Sequence, residues 1–217
     1  MSEASDASRC LRTETPARGR GTRTRRGGGS CPLRVASLEN GLHARLAREL
    51  SGTRSGGRLL AERPRLDARS VSLGALRALP AGTLGHAYSR HLEATRIAPL
   101  EPSWVVREEM SDAEYVCARL RETHDVLHVI TGYGTDALGE LEIRLFNLGN
   151  LSWSPAPLLA VGGAWLGRYG GLHGVSGQLR AAYVRGRRTP PLVGVIWEDH
   201  WHEPLAWVRD LVALTPF

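Results

Sequence analysis

Residues 124–140 read HDVLHVITGYGTDALGE, and their spacing decides how the chain folds. His124 and His128 are four apart, so on a helix both imidazoles leave the same face. At about 100° per residue, Asp125 falls about 100° from His124 and about 60° from His128. Three groups able to ligate a metal thus share one narrow arc. On a straight helix Glu140 would lie about 18 Å along the axis from His128. The Gly132-Tyr133-Gly134 break predicts instead a helix–turn–helix hairpin that folds Glu140 back towards the histidines. Imidazole and carboxylate together suit zinc and similar divalent ions. The plain alternative is a pair of core-facing, hydrogen-bonded histidines with the glycines as an ordinary helix stop.

Outward from this hairpin, helical periodicity dominates. Ser111 and Glu114 form a capping box for the helix leading into the motif, where Cys117, Leu120, His124, Leu127, His128 and Thr131 make one stripe. Thr135 or Asp136 can cap the next helix, with Leu138, Leu141, Leu145 and Leu148 on its core face. Upstream, Leu73, Leu76 and Leu79 fit a short helix ended by Pro80, and Thr83 caps one carrying Leu84, Tyr88, His91 and Leu92. Downstream, Trp153–Pro157 reads as a loop, 172–185 as a helix, Arg185–Arg188 with Pro190-Pro191 as a turn, and Leu192–Trp197 as a short apolar stretch. A last helix follows Glu203-Pro204 with Leu205, Val208, Leu211 and Val212 on one face. Strand signals are sparse. The prediction is an all-α chain: a disordered Arg/Gly-rich tail over 1–36, a variable, partly helical lead-in over 37–70, and one helical domain over 71–217. The lead-in carries Leu38, Leu42, Leu46 and Leu50 at every fourth position, and the folded body is expected to begin near Ser70.

Charge follows this division. The chain has 217 residues and a net charge of +6, and every one of its 28 basic residues is arginine. Residues 1–34 hold eight arginines against three acids, so the body beyond them is nearly neutral. A folded basic patch for nucleic acid is therefore not expected. Cys10, Cys31 and Cys117 form no paired spacing, which speaks against a disulfide framework. No apolar run reaches 18 residues, so no membrane-spanning helix is expected. The tail lacks the apolar core of a secretory signal. It is Arg-rich like a transit peptide, yet Leu11 and Leu33 are almost its only large apolar residues, so it cannot form an amphipathic face.

Three blocks, LPAGTLGHAYSRHL (79–92), ETHDVLHVITGYGTDALGE (122–140) and VGVIWEDHWHEPLAWVRDL (193–211), together resemble the coenzyme Q (ubiquinone) biosynthesis protein 4 family. The middle block is the specific one: the H-D-x-x-H pair, the eleven-residue gap to Glu140 and the TGYG break all coincide. The resemblance covers roughly 73–214. It implies an all-helical protein with a divalent metal, zinc first and magnesium, iron or manganese after it, held by His124, Asp125, His128 and Glu140. It implies a metal-dependent decarboxylase, with hydroxylation of the same carbon, acting on a polyprenylated 4-hydroxybenzoate-type ring. The other class of function it implies is a non-catalytic prenyl-lipid-binding scaffold that organises the biosynthetic complex. The partners are then the prenylated quinone precursor, a membrane surface and other ubiquinone-biosynthesis proteins; a homodimer is allowed and nucleic acid is not expected. The location is peripheral, on the cytoplasmic side of a bacterial membrane or, in a eukaryote, the matrix side of the mitochondrial inner membrane.

An apolar channel for the prenyl chain would draw on the Gly-rich stretch 155–170 with Trp153 and Trp165. Arg185 and Arg188, with Arg180 and Arg187, could meet acidic headgroups, a solvated basic turn being the simpler reading. His86 and His91, the Asp199, His200, His202 and Glu203 group, and Trp197, Trp201 and Trp207 read more simply as surface, cap and core residues. A phosphohydrolase built on His124-Asp125 would need His86 or His91 and Asp199 or Asp210, and would leave His128 and Glu140 unexplained.

Overall fold

The computed structural model describes residues 33–96, 110–152 and 176–214. They form nine α-helices: α1 (Leu33–Ser51), α2 (Arg54–Glu62), α3 (Leu73–Arg77), α4 (Leu84–Thr95), α5 (Asp112–Glu122), α6 (His124–Thr131), α7 (Ala137–Asn150), α8 (Ser176–Arg188) and α9 (Leu205–Leu211). Among the described residues there is no strand, as the periodicity predicts. None of their helices is long and apolar enough to cross a membrane. Contacts divide the chain into two compact units, one formed by residues up to 125 with 194–202, the other by 126–193 with 203–217.

In the first unit α1 packs on α5 and α2, and α3 on α4. Leu42, Leu46 and Leu50 are buried, as are Leu59 and Leu60 of α2 and Leu66 beyond it. The fold therefore begins well before Ser70. The sequence hid this because Ser55-Gly56-Gly57 reads as a loop. Thr53 caps α2 by accepting from the Gly56 N–H at 3.1 Å, and a Cβ on Gly56 would come 2.3 Å from the Leu50 carbonyl oxygen. Gly56 is there for close approach, not for a turn. The caps read from sequence are in place: Thr83 opens α4, and Ser111 with Glu114 forms the reciprocal box of α5; Ser72 caps α3 as well, which the sequence reading did not single out.

Two buried charges on α5 anchor neighbouring segments. Arg119 donates to both Glu198 carboxylate oxygens, at 2.6 and 2.7 Å, and to the Pro64 carbonyl. Glu122 accepts from the Arg65 guanidinium and from the Leu66 N–H. Charges are tolerable here because each is paired with an opposite charge at hydrogen-bond distance, although the buried Arg119 Nε itself makes no hydrogen bond among the described residues. Trp197 is buried and Trp201 stacks on Tyr88. Asp199 bonds Arg58. These residues serve the core and its staples.

His43 of α1 gives this unit a pH dependence. Burial, helped by the nearby Arg121 guanidinium, pushes its imidazole down from 6.5 to about 4. The folded chain resists a proton that the unfolded chain accepts below about 6.5. Stability therefore falls as pH drops from about 6.5 to 4, by up to about 3 kcal/mol at full effect. His43→Gln should lose less stability than the parent between pH 7 and 4.5, read from urea midpoints. Equal losses would refute this role for His43.

The predicted single helix from Ser111 through the motif is interrupted. Thr123 ends α5, its hydroxyl donating to the Arg119 carbonyl four residues back at 2.8 Å, a bond that competes with the helical ladder. The motif helix α6 thus starts afresh at His124. In the second unit, α7 and α8 make the most extensive helix pair. A Cβ on Gly186 would stand 2.0 Å from the Phe146 carbonyl oxygen, and one on Gly149 would stand 2.3 Å from that of Tyr183. Helix α8 continues through Gly186 to Arg188, where sequence reading expects a turn. Buried Asn150 closes the far end of the pair: its amide faces the carbonyls of Gly186, Thr189 and Pro190, and its oxygen accepts from Leu192 N–H. On α9 Val208 is buried, as is Val212 just past its end, while Leu211 and Trp207 are exposed, so the apolar face is narrower than Leu205, Val208, Leu211 and Val212 suggest.

Candidate metal centre

The centre is built on the hairpin of α6 and α7. Gly132, with φ +80°, ends α6, and its N–H returns to the His128 carbonyl at 2.9 Å, the left-handed stop that only glycine adopts freely. Asp136 then caps α7, accepting from Gly139 N–H at 2.8 Å. A Cβ on Gly139 would lie 2.0 Å from the Gly134 carbonyl oxygen, so glycine there lets the turn fold onto the start of α7. Glu140 follows in the first turn of α7.

This chain path brings one ligand atom each of His124, His128 and Glu140 within 4.8 Å of one another. His128 is buried, its side chain 1% exposed, while that of Glu140 is 28% exposed. Its Nδ1 lies 3.1 Å from the Tyr133 carbonyl oxygen. That oxygen can only accept, so Nδ1 carries the proton. Nε2 faces Glu140, with a carboxylate oxygen at 3.4 Å. A histidine ligand held through its other nitrogen by a carbonyl is the arrangement that presents Nε2 to a metal. The donor set, two imidazoles and a carboxylate, fits a divalent ion of the zinc type.

Asp125 is the next residue after His124. Its carboxylate lies 3.9 Å from His91 Nε2, both side chains being 14% exposed. Of the residues read as lipid-facing, Trp153 and Trp165 lie outside the described residues, and Arg188 is exposed. Arg185 is buried: it donates to the Thr131 carbonyl at 2.9 Å. Its guanidinium lies 5.2 Å from the Tyr133 ring centroid and 6.0 Å from that of Phe146. Sequence reading missed Arg209 of α9, which donates to the carbonyls of Ile130 and Val129 at 2.8 and 3.0 Å. No local pattern marks it; only the unfilled carbonyls at the end of α6 demand such a partner.

A family model for the coenzyme Q (ubiquinone) biosynthesis protein Coq4 matches residues 37–217. The chain belongs to the Coq4 family. It is similar to the COQ4 homologue of Homo sapiens, 32% identical over 166 residues that cover 74% of this chain and 61% of that protein. It is likewise 32% identical to the COQ4 homologue 1 of Culex quinquefasciatus over 174 residues, covering 76% of this chain and 60% of that one. Both are named as mitochondrial ubiquinone biosynthesis proteins. The chain thus spans about 60% of the length of the curated relatives it matches. Its fold is similar to the crystal structure of a putative ubiquinone biosynthesis protein from Nostoc punctiforme: TM-score 0.65, 27% identity, covering 84% of this chain and 88% of that one. The Coq4 match begins at residue 37, so it takes in the described part of α1 that buries Leu42, Leu46 and Leu50.

Proposed function

We propose that this Coq4-family chain is a metal-dependent enzyme of ubiquinone biosynthesis that removes the carboxylate of a polyprenylated 4-hydroxybenzoate-type ring as carbon dioxide, coupled to hydroxylation of that carbon with dioxygen as the two-electron oxidant. The observation that carries the proposal is the convergence of His124, His128 and Glu140 within 4.8 Å, in a chain whose family is named for this pathway. Three protein ligands leave coordination positions open, which is the pattern of catalytic rather than structural sites. A divalent ion held there would supply a Lewis acid against the charge of the ring carboxylate and phenolate.

The chain's own residues prepare that site. The Tyr133 carbonyl fixes the His128 tautomer, and Glu140 offsets positive charge in the centre. Burial of His128 limits the access of water to its imidazole. Asp125, turned towards His91, is not needed to complete the ligand set. The work is proposed to occur at a membrane surface, since the prenyl chain is insoluble in water. Partnership with other enzymes of the pathway belongs to the same proposal.

The test is to incubate purified, metal-analysed protein with a prenylated 4-hydroxybenzoate, with and without oxygen, and to identify products by mass spectrometry. Decarboxylated or hydroxylated product that disappears in His128→Ala is expected, and the oxygen requirement assigns the reaction. Metal-loaded protein that retains the lipid unchanged under every condition, while its His128→Ala variant still supports quinone formation in cells, would overturn the enzyme reading in favour of the scaffold.

A further inference from the structure

The end of α6 is hydrogen-bonded in a way that a simple helix stop does not require. The last carbonyls of a helix lack partners within it. Here Leu127's accepts from the Thr131 hydroxyl and His128's from Gly132 N–H. Those of Val129 and Ile130 accept from Arg209, and that of Thr131 from Arg185. Next comes Tyr133, whose carbonyl accepts from His128 Nδ1–H. Two guanidinium groups, delivered by α8 and α9, therefore converge on three consecutive carbonyls directly beside the bond that orients a candidate ligand.

Bringing two cations together in a partly buried place is costly. Burial, with Arg185 nearby, pulls the Arg209 guanidinium below its ordinary range. The negative end of the α6 dipole and the three carbonyls offset that cost. Gly132 alone would have stopped the helix, since its bond to His128 already makes the usual left-handed cap. What the arginines add is fixation of the turn beyond it. Arg185 both bonds the Thr131 carbonyl and lies over the Tyr133 ring, which packs edge-on against Phe146 of α7. The peptide that carries the Tyr133 carbonyl is thus held between a clamped helix end and a clamped ring.

We infer that Arg185 and Arg209 are positioning residues of the metal centre: they hold the α6 end and the Tyr133 carbonyl so that His128 keeps Nε2 towards Glu140. This rests on the metal reading above for its consequence, and on the hydrogen-bond geometry alone for its structural half. Removing a partner that orients a ligand typically weakens metal binding by 10- to 100-fold. For Arg209, one step further from the ligand, the expectation is about tenfold, near the lower end of that range.

The experiment uses the full chain, with competitive zinc titration and 15N NMR of the His128 ring in the metal-free protein. Arg209→Met should weaken zinc binding about tenfold and shift the His128 Nδ1 resonance away from that of a hydrogen-bonded N–H. Arg209→Lys, which keeps the charge and can satisfy one carbonyl, should recover part of both. It also serves if the methionine variant does not fold. Val208→Ala loosens the same helix through its packing and leaves the guanidinium intact, so it should move neither readout. If Val208→Ala weakens zinc as much as Arg209→Met, or if the Nδ1 signal is the same in all variants, the positioning role is overturned. If the parent binds no zinc yet the Nδ1 signal responds only to the arginine variants, the positioning holds and the metal reading falls.

Discussion

Gly186→Ala is expected to cost about 3 kcal/mol of folding stability, at the upper end of the range for overpacked interiors. The cost arises because the added methyl meets main chain, not side chain. It would lie 2.0 Å from the Phe146 carbonyl oxygen, 2.8 Å from its carbon and 3.0 Å from Asn150 N. No rotamer change relieves such a contact. Helices α7 and α8 would have to separate, and the Asn150 amide would lose its hold on the carbonyls that follow α8. Gly177→Ala, in the same helix, is the control. Among the described residues nothing lies within 4 Å of its added methyl, and alanine favours helix over glycine by up to about 1 kcal/mol. Urea unfolding of the two variants should therefore move in opposite directions. A Gly186→Ala midpoint equal to the parent's would mean that the helices are not in this contact.

Glu140→Gln is expected to weaken zinc binding by about 100-fold, on the order of 3 kcal/mol, while leaving the metal-free fold nearly unchanged. The carboxylate is the one anionic member of the trio, and the amide keeps its shape without its charge. Its side chain is 28% exposed, so in the metal-free chain its pairing with His128 contributes little. Asp125→Asn should leave the affinity within a fewfold of the parent, because that carboxylate faces His91. Isothermal titration with zinc decides between them. Equal losses in the two variants would make Asp125 a fourth ligand, as the family resemblance implies.

Much of this is legible in the sequence alone. The four-residue spacing of the histidines, the glycines at 132 and 134 and the capping residues Thr83, Ser111 and Thr135 or Asp136 are local signals: they place α4 and α7, put α5 and α6 together as one helix, and fold Glu140 back towards His128. What escaped was set by distant contacts. Gly56 and Gly186 read as loop and turn because a glycine chosen for close backbone approach looks the same in sequence as one chosen for its φ. Thr123 gave no warning that its hydroxyl would end α5. Arg185 sits among exposed arginines and reads as one of them in the sequence, although its place between Tyr133, Phe146 and the Thr131 carbonyl makes it interior. The pairing of Gly149 with Gly186 was a missed clue, since small residues on two helices allow them to touch.

The Arg209 clamp also has a consequence for the order in which the molecule matures. All three candidate ligands lie between residues 124 and 140, and they leave the ribosome early, as one short hairpin. The group that braces the end of their helix is translated much later, after α7, α8 and the segment between them. A nascent chain, or one interrupted before α9, would hold every ligand and still present a slack site. Premature stops between α8 and α9 would then remove the brace while keeping every candidate ligand, so intact ligand sequence would be a poor guide to an ordered centre.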